Sequence, residues 1–131
     1  MRLYLDTADR SAIERFLSTG LFTGVTTNPV ILRTAGLDPR LAGEVYRWAV
    51  AAGAREVFFQ TFGGSVRDQV EQGLRYREVG PEVVVKVVAT RLGATACAAL
   101  SAQGVPTLLT ALVHLHNKGA GEPAPTPEAA G

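Results

Sequence analysis

The sequence predicts an α/β domain with parallel strands, on three observations. Short apolar runs alternate with helical patterns over most of the 131 residues, which is the signature of strands joined by crossover helices. The strand-like runs are continuously apolar, as in "VVVKVV" at 83–88, and do not alternate with polar residues; strands covered on both faces read this way. Polar residues recur where those runs end, at intervals near one βα unit.

The elements follow in order. "RLYLD" at 2–6 is a short apolar run closed by an acid. "TADRSAIERFLSTG" at 7–20 carries Ile13, Phe16 and Leu17 at helical spacing and Gly20 as a stop signal. "LFTGV" at 21–25 reads as the second strand, and Pro29 after "TTN" suits the first turn of a short helix. "LDPRLAGEVYRWAVAAGA" at 37–54 predicts a longer helix with Leu41, Val45, Trp48 and Ala49 on one face. "REVFFQ" at 55–60 is the third strand. The helix after it presents Val66, Val70, Leu74 and Arg77 as a stripe. "EVVVKVV" at 82–88 is the fourth strand, "TRLGATACAALSAQG" at 90–104 a small-residue helix, and "VPTLLTALV" at 105–113 the fifth strand. Residues 1–113 therefore read as one βα-repeat unit. Residues 114–131 read as a Pro/Ala/Gly-rich disordered tail, with proline at 123, 125 and 127.

Composition excludes several function classes. A formal net charge of +1 gives no reason to expect nucleic acid or an anionic membrane surface as a partner. No apolar run approaches the roughly 20 residues of a membrane span. The first strand-like run starts at the first residues, so no signal peptide is expected. The single cysteine, Cys97, forms no internal disulfide, fits a reducing cytoplasm and reads as a small core residue of its helix. His114 and His116 form H-x-H without a cysteine or acid nearby, so no metal site is expected.

Chemistry concentrates at the strand ends. Asp6, Asn28, Gln60, Lys86 and Thr110 follow one another at spacings of 22, 32, 26 and 24 residues, with Thr26 beside Asn28. In parallel α/β folds ligands bind at the carboxyl ends of the strands, so these groups converge on one pocket. Lys86 carries the most information, because lysine is almost never buried without a partner. Desolvation disfavours the charged amine and lowers its pKa. A neutral amine attacks ketones and forms a Schiff base, an electron sink for breaking or making the neighbouring C–C bond. Such chemistry also needs an acid/base for the substrate hydroxyl, amide or hydroxyl groups to orient a polyol and an ordered water to release the imine, and Asp6, Asn28, Thr26, Gln60 and Thr110 are the right residue types. No metal or cofactor is required. The structural alternatives are caps for Asp6 and Asn28, an ordinary strand residue for Thr110, and an ion pair with Asp6 for Lys86.

"LYLDTAD", "GVTTNPVIL", "FFQ", "VVVKV" and "GVPTLLTA" resemble, in order and spacing, the transaldolase family, and within it the fructose-6-phosphate aldolase branch. The likeness runs from Met1 to about Leu112. It implies a (β/α)8 barrel of which this chain carries about five βα units, and a metal-independent class I aldol reaction on a sugar phosphate. On this resemblance Lys86 is the Schiff-base lysine and Asp6 the acid/base for the C4 hydroxyl. Gln60 stands where classical transaldolases use a glutamate through water. Asn28 and Thr26 surround the dihydroxyacetone unit, with Thr110 on the fifth strand. The chain departs from the family at Val87-Val88, where isoleucine-proline or valine-proline is common. It also lacks the later tyrosine, strands six to eight, and the serine and arginine that bind phosphate there. The expectation is a truncated transaldolase-like chain. Its unpaired strand edges would favour pairing with another copy or with a barrel-completing partner, or leave it an inactive remnant. Five βα units also describe a flavodoxin-like receiver, but that fold needs an acid where Gln60 ends the third strand and a lysine on the fifth strand, not the fourth.

Overall fold

The computed structural model describes residues 2–34, 36 and 41–110. Five strands, β1 (Tyr4–Asp6), β2 (Gly24–Thr26), β3 (Glu56–Gln60), β4 (Val83–Val88) and β5 (Thr107–Thr110), alternate with helices α1 (Arg10–Leu17), α2 (Pro29–Thr34), α3 (Ala42–Ala51), α4 (Val66–Val79) and α5 (Arg91–Ala102). All neighbouring strands are parallel, in the order β1-β2-β3-β4-β5. That order is the one taken by the first five units of a (β/α)8 barrel. A flavodoxin-like sheet reverses direction at a switch point, in the order 2-1-3-4-5, so that alternative is excluded.

The registers sort every strand residue onto one of two faces, because partners across a parallel ladder point the same way. Leu5, Val25, Val57, Phe59, Val83, Val85 and Val87 share the outer face. All but Leu5 are fully buried, packed with Ile13 and Leu17 of α1, Val45 and Ala49 of α3, and Leu100 of α5. Each such side chain contributes about 1.5–3 kcal/mol of transfer free energy, so this layer holds the sheet to its helices. Phe59 adds a stack on Tyr76 of α4, with centroids 5.2 Å apart.

Side-chain caps set the starts of α1, α4 and α5. Asp9, Ser65 and Thr90 accept from the third amide beyond them at the heads of α1, α4 and α5. Asp6 therefore caps nothing, since Asp9 takes that role for α1.

Several local expectations need correction. The second strand lies at Gly24–Thr26, not 21–25. Leu21 is exposed, and pairing with β3 begins only at Gly24. A Cβ on Gly24 would lie 1.8 Å from the carbonyl oxygen of Glu56, so only glycine lets the strand start there. The core-facing positions of α4 are Gln69 and Gly73, each one residue before the expected Val70 and Leu74, which are only partly buried. Gly73 is pressed against Leu100, whose side chain stands 2.7 Å from where a Cβ would be; a larger residue would push α4 off α5. Phe16 and Leu41 are exposed and not on buried stripes. Cys97 packs at the edge of the core as expected. Residues 37–40, the last part of the expected fifth strand at 111–113, and the expected tail at 114–131 with His114 and His116 lie outside the described residues.

Candidate active site

Asp6, Thr26, Gln60, Lys86 and Thr110 all stand on the inner face of the sheet. They are not in hydrogen-bond register, as a simple reading of strand ends would have it. Asp6 pairs with Thr26, and Thr26 pairs with Phe58, two residues short of Gln60. Gln60 pairs with Lys86, but Lys86 pairs with Leu108, two residues short of Thr110. The polar positions thus climb four residues over the four steps from β1 to β5. Strands in an eight-stranded barrel of shear 8 are tilted, and a level ring around the axis climbs one residue per strand. The observed climb averages one residue per strand, so the five positions follow such a ring.

Lys86 projects from the middle of β4 with Val84 and Val88 as its neighbours on the same face. Its flanks Val85 and Val87 point outward and are fully buried. Burial pushes its amine below the ordinary lysine range, and the charge of Asp6 acts in the opposite sense. Among the described residues the amine has neither a hydrogen bond nor an ion pair within 4 Å. The ion pair with Asp6 that would give the lysine a purely structural role is therefore not formed.

Asp6 is exposed, and its Oδ1 accepts a 2.6 Å hydrogen bond from Thr26 Oγ1. Thr27, fully buried, fixes the turn after β2: its amide and its hydroxyl both donate to the Phe58 carbonyl, at 3.1 and 2.7 Å. Asn28 behaves as the cap of α2, accepting from the Ile31 amide at 2.9 Å. That bond uses only Oδ1, so the rotamer is fixed while Nδ2 keeps its donors free among the described residues. Thr110 Oγ1 donates to the Val87 carbonyl at 3.4 Å, which ties β5 to the strand of Lys86. Gln60 makes no side-chain hydrogen bond among the described residues. Its Cα is the register partner of Lys86, one strand spacing or about 5 Å away.

Sequence reasoning missed the residues that hold the loop after β3. Thr61 is buried, and its hydroxyl donates to Gln69 Oε1 at 3.1 Å. Gln72 Nε2 donates to the Phe62 carbonyl at 2.5 Å, and its Oε1 accepts from the Phe62 amide at 3.0 Å. The signal for them is one glutamine, Gln69, at a core-facing helix position, which a search for apolar periodicity passes over. A groove of about 510 Å³ opens between α3 and α4, near Ala42, Phe62 and Tyr76, but none of the strand-end residues lines it. Among the described residues no group of three or more His, Cys, Asp or Glu side chains is placed to hold a metal ion. No described helix is long and apolar enough to cross a membrane.

The fold and this face define a parallel βα-repeat protein of the partial (β/α)8 type, with its polar groups gathered around one lysine at the strand ends. A family profile described as "Transaldolase/Fructose-6-phosphate aldolase" matches residues 3–120, and the chain belongs to that family. It is 36% identical over 111 residues to a probable transaldolase of Nitrosopumilus maritimus, covering 84% of this chain and 48% of that protein. Probable transaldolases of Thermus thermophilus and Aquifex aeolicus are 33% and 32% identical over 119 and 110 residues. They too are matched over 84% of this chain, and over 52% and 49% of their own lengths. The chain spans about half the length of the curated relatives it matches.

Proposed function

We propose that this chain carries the amine site of a transaldolase or fructose-6-phosphate aldolase reaction, with Lys86 as the Schiff-base lysine. The observation that supports this most is the state of Lys86: burial lowers its amine pKa, the amine has no hydrogen bond or ion pair among the described residues, and its register partner on β3 is Gln60, whose amide is likewise without a hydrogen bond there. The neutral amine adds to the C2 carbonyl of a ketose phosphate, and loss of water leaves a protonated imine. Asp6 takes the proton from the C4 hydroxyl as the C3–C4 bond breaks. The electron pair of that bond moves into the imine to give an enamine, and an aldehyde leaves. The enamine then attacks an acceptor aldehyde, with Asp6 returning the proton. Alternatively it is protonated at C3; in either case water hydrolyses the imine, releasing the new ketose or dihydroxyacetone, and restores the amine. Gln60 and Thr110 hold that water, and Asn28 Nδ2 and Thr26 hold the hydroxyls of the three-carbon unit. No metal or cofactor enters these steps. A soluble cytoplasmic enzyme of sugar phosphate metabolism is the setting this chemistry fits.

The test is trapping. The chain is incubated with dihydroxyacetone or fructose 6-phosphate, reduced with borohydride and mapped by mass spectrometry. A reduced adduct on Lys86 is expected. Its absence, under conditions that label a full-length relative, sinks the reading.

The half-length match favours a second reading, in which the amine site works only when further βα units sit against β5. On β5, Leu108 and Leu109 face opposite sides and are 43% and 44% exposed. An edge strand that is apolar on both faces is one that another chain can cover. On this reading the adduct is absent from the chain alone and appears when the second half of a full-length relative is added.

A further inference from the structure

We propose that Gln69 is a positioning residue for this site: from α4 it clamps the loop leaving β3 and so fixes Gln60 beside Lys86. The inference rests on the amine reading above. Gln69 is 8% exposed and faces the sheet, where an apolar side chain would pack without any polar group to satisfy. Both ends of its amide are used on the same short loop. Oε1 accepts from Thr61 Oγ1 at 3.1 Å, and Nε2 donates to the Gly63 carbonyl at 3.3 Å. Thr61 follows Gln60 directly, and its amide donates to the carbonyl of Lys86 itself at 3.0 Å. A continuous path of hydrogen bonds thus runs from Lys86 through Thr61 to Gln69. Gln60 is the group that needs this support, because among the described residues its own amide makes no hydrogen bond to hold its direction.

Gln72, one turn further along α4, grips the next residue of the loop through both backbone groups of Phe62. The loop after β2 is fixed by threonine and asparagine side chains of the loop itself. The loop after β3 is fixed from the helix that follows it. A buried amide at that position does for the site what a leucine would not: it transmits the placement of α4, set by Gly73 against Leu100, to the strand end that faces the amine.

The experiment compares Gln69→Leu, Thr61→Val and Gln60→Ala in the full chain, with Thr61→Ser as the conservative variant. Amide exchange is the first readout, since it needs no activity. Gln69→Leu should speed exchange at the Thr61 amide about tenfold, the equivalent of one net hydrogen bond, and leave the Val57 amide on the same strand unchanged. The second readout is the rate of borohydride trapping at Lys86. Gln69→Leu and Thr61→Val should each fall to the rate of Gln60→Ala, Thr61→Ser should keep the original rate, and Gln60→Ala combined with Gln69→Leu should be no slower than either alone. Should Gln69→Leu fail to fold, Thr61→Val carries both comparisons. Unchanged Thr61 exchange, unchanged trapping, or additive losses in the double variant each overturn the inference. A chain that gives no adduct before any substitution sinks the amine reading, and amide exchange then decides the clamp by itself.

Discussion

On the outer face of the sheet, Val25, Val57, Phe59, Val83, Val85 and Val87 are all fully buried under helices. On the inner face Asp6, Thr26, Gln60, Lys86 and Thr110 share the same strands with Tyr4, Phe58 and Val84, and most of the polar groups keep some contact with solvent. Residues one position apart in sequence therefore answer to different demands. The outer residues are chosen for volume and water exclusion, and any apolar side chain of the right size would serve. The inner ones are those the proposed reaction would use, and Lys86 stands where the fold by itself would prefer a hydrophobic residue. A protein retains such a conflict between stability and local composition chiefly at functional sites.

The largest expected effect tests the outer face. Phe59→Ala removes a fully buried ring and its stack on Tyr76, and should cost about 3–5 kcal/mol in urea denaturation. Its immediate neighbour on the inner face gives the contrast: Gln60→Ala should change stability by less than about 1 kcal/mol, since its amide bonds to nothing among the described residues. Equal losses at the two positions would break the distinction between the faces.

A smaller effect of opposite sign is expected at Lys86. Because its folded pKa lies below the ordinary 10.5, the unfolded chain binds the proton more tightly than the native state does. Below the folded pKa the amine is charged in both states and the native state bears the full desolvation penalty. The penalty is relieved as pH rises through the folded pKa toward 10.5. Lys86→Met should therefore stabilise the fold at neutral pH by about 0.5–2 kcal/mol, with the gain shrinking in alkaline buffer, while borohydride trapping is abolished. Thermal melts at pH 7 and near pH 10 measure the difference. A gain that grows with pH would mean that the lysine is stabilised, not strained, by its surroundings.

The same division explains what was legible in the sequence. The alternation of strands and helices, the α/β class and the strand-end constellation are written in patterns of period and spacing, and four of the five strands fall inside the apolar runs that predict them, while the second is displaced to Gly24–Thr26. What escaped depends on contacts between elements. The first residues of "LFTGV" look like strand, but only backbone geometry shows that Gly24 must lie against Glu56. The stripe on α4 looks apolar at Val70 and Leu74. Its most buried positions are instead a glycine, selected by the closeness of Leu100, and a glutamine, selected by the loop it holds. Asn28 and Thr110 were legible as candidates, yet their roles were ambiguous for a physical reason. Capping Ile31 and binding a substrate hydroxyl use different atoms of one amide, so the sequence admits both. The stagger of the site was hidden as well, since register follows from strand tilt and not from the count of residues between strand ends.

The finest test concerns whether the inner face acts as one electrostatic unit. Asp6 is not within ion-pairing distance of Lys86, yet its carboxylate charge raises the lysine pKa against the larger lowering by burial. Thr26 holds that carboxylate in place at 2.6 Å. Asp6→Asn keeps the shape and an acceptor for Thr26 while removing the charge, so only the Coulomb contribution is lost. The pH midpoint for modification of Lys86 by an amine reagent should then move further down, and reactivity near neutral pH should rise. The effect should be modest, because Asp6 is exposed and water screens it, and high salt should shrink the difference between the two proteins. An upward shift would mean that the substitution has opened the valine wall to water, and no shift would mean that Asp6 and Lys86 are electrically separate. In the expected case the substitution also dissociates two roles of Asp6. A larger fraction of the amine is neutral while the group proposed to take the C4 hydroxyl proton is gone, so on the proposed reaction imine trapping should persist and cleavage of the ketose should fall.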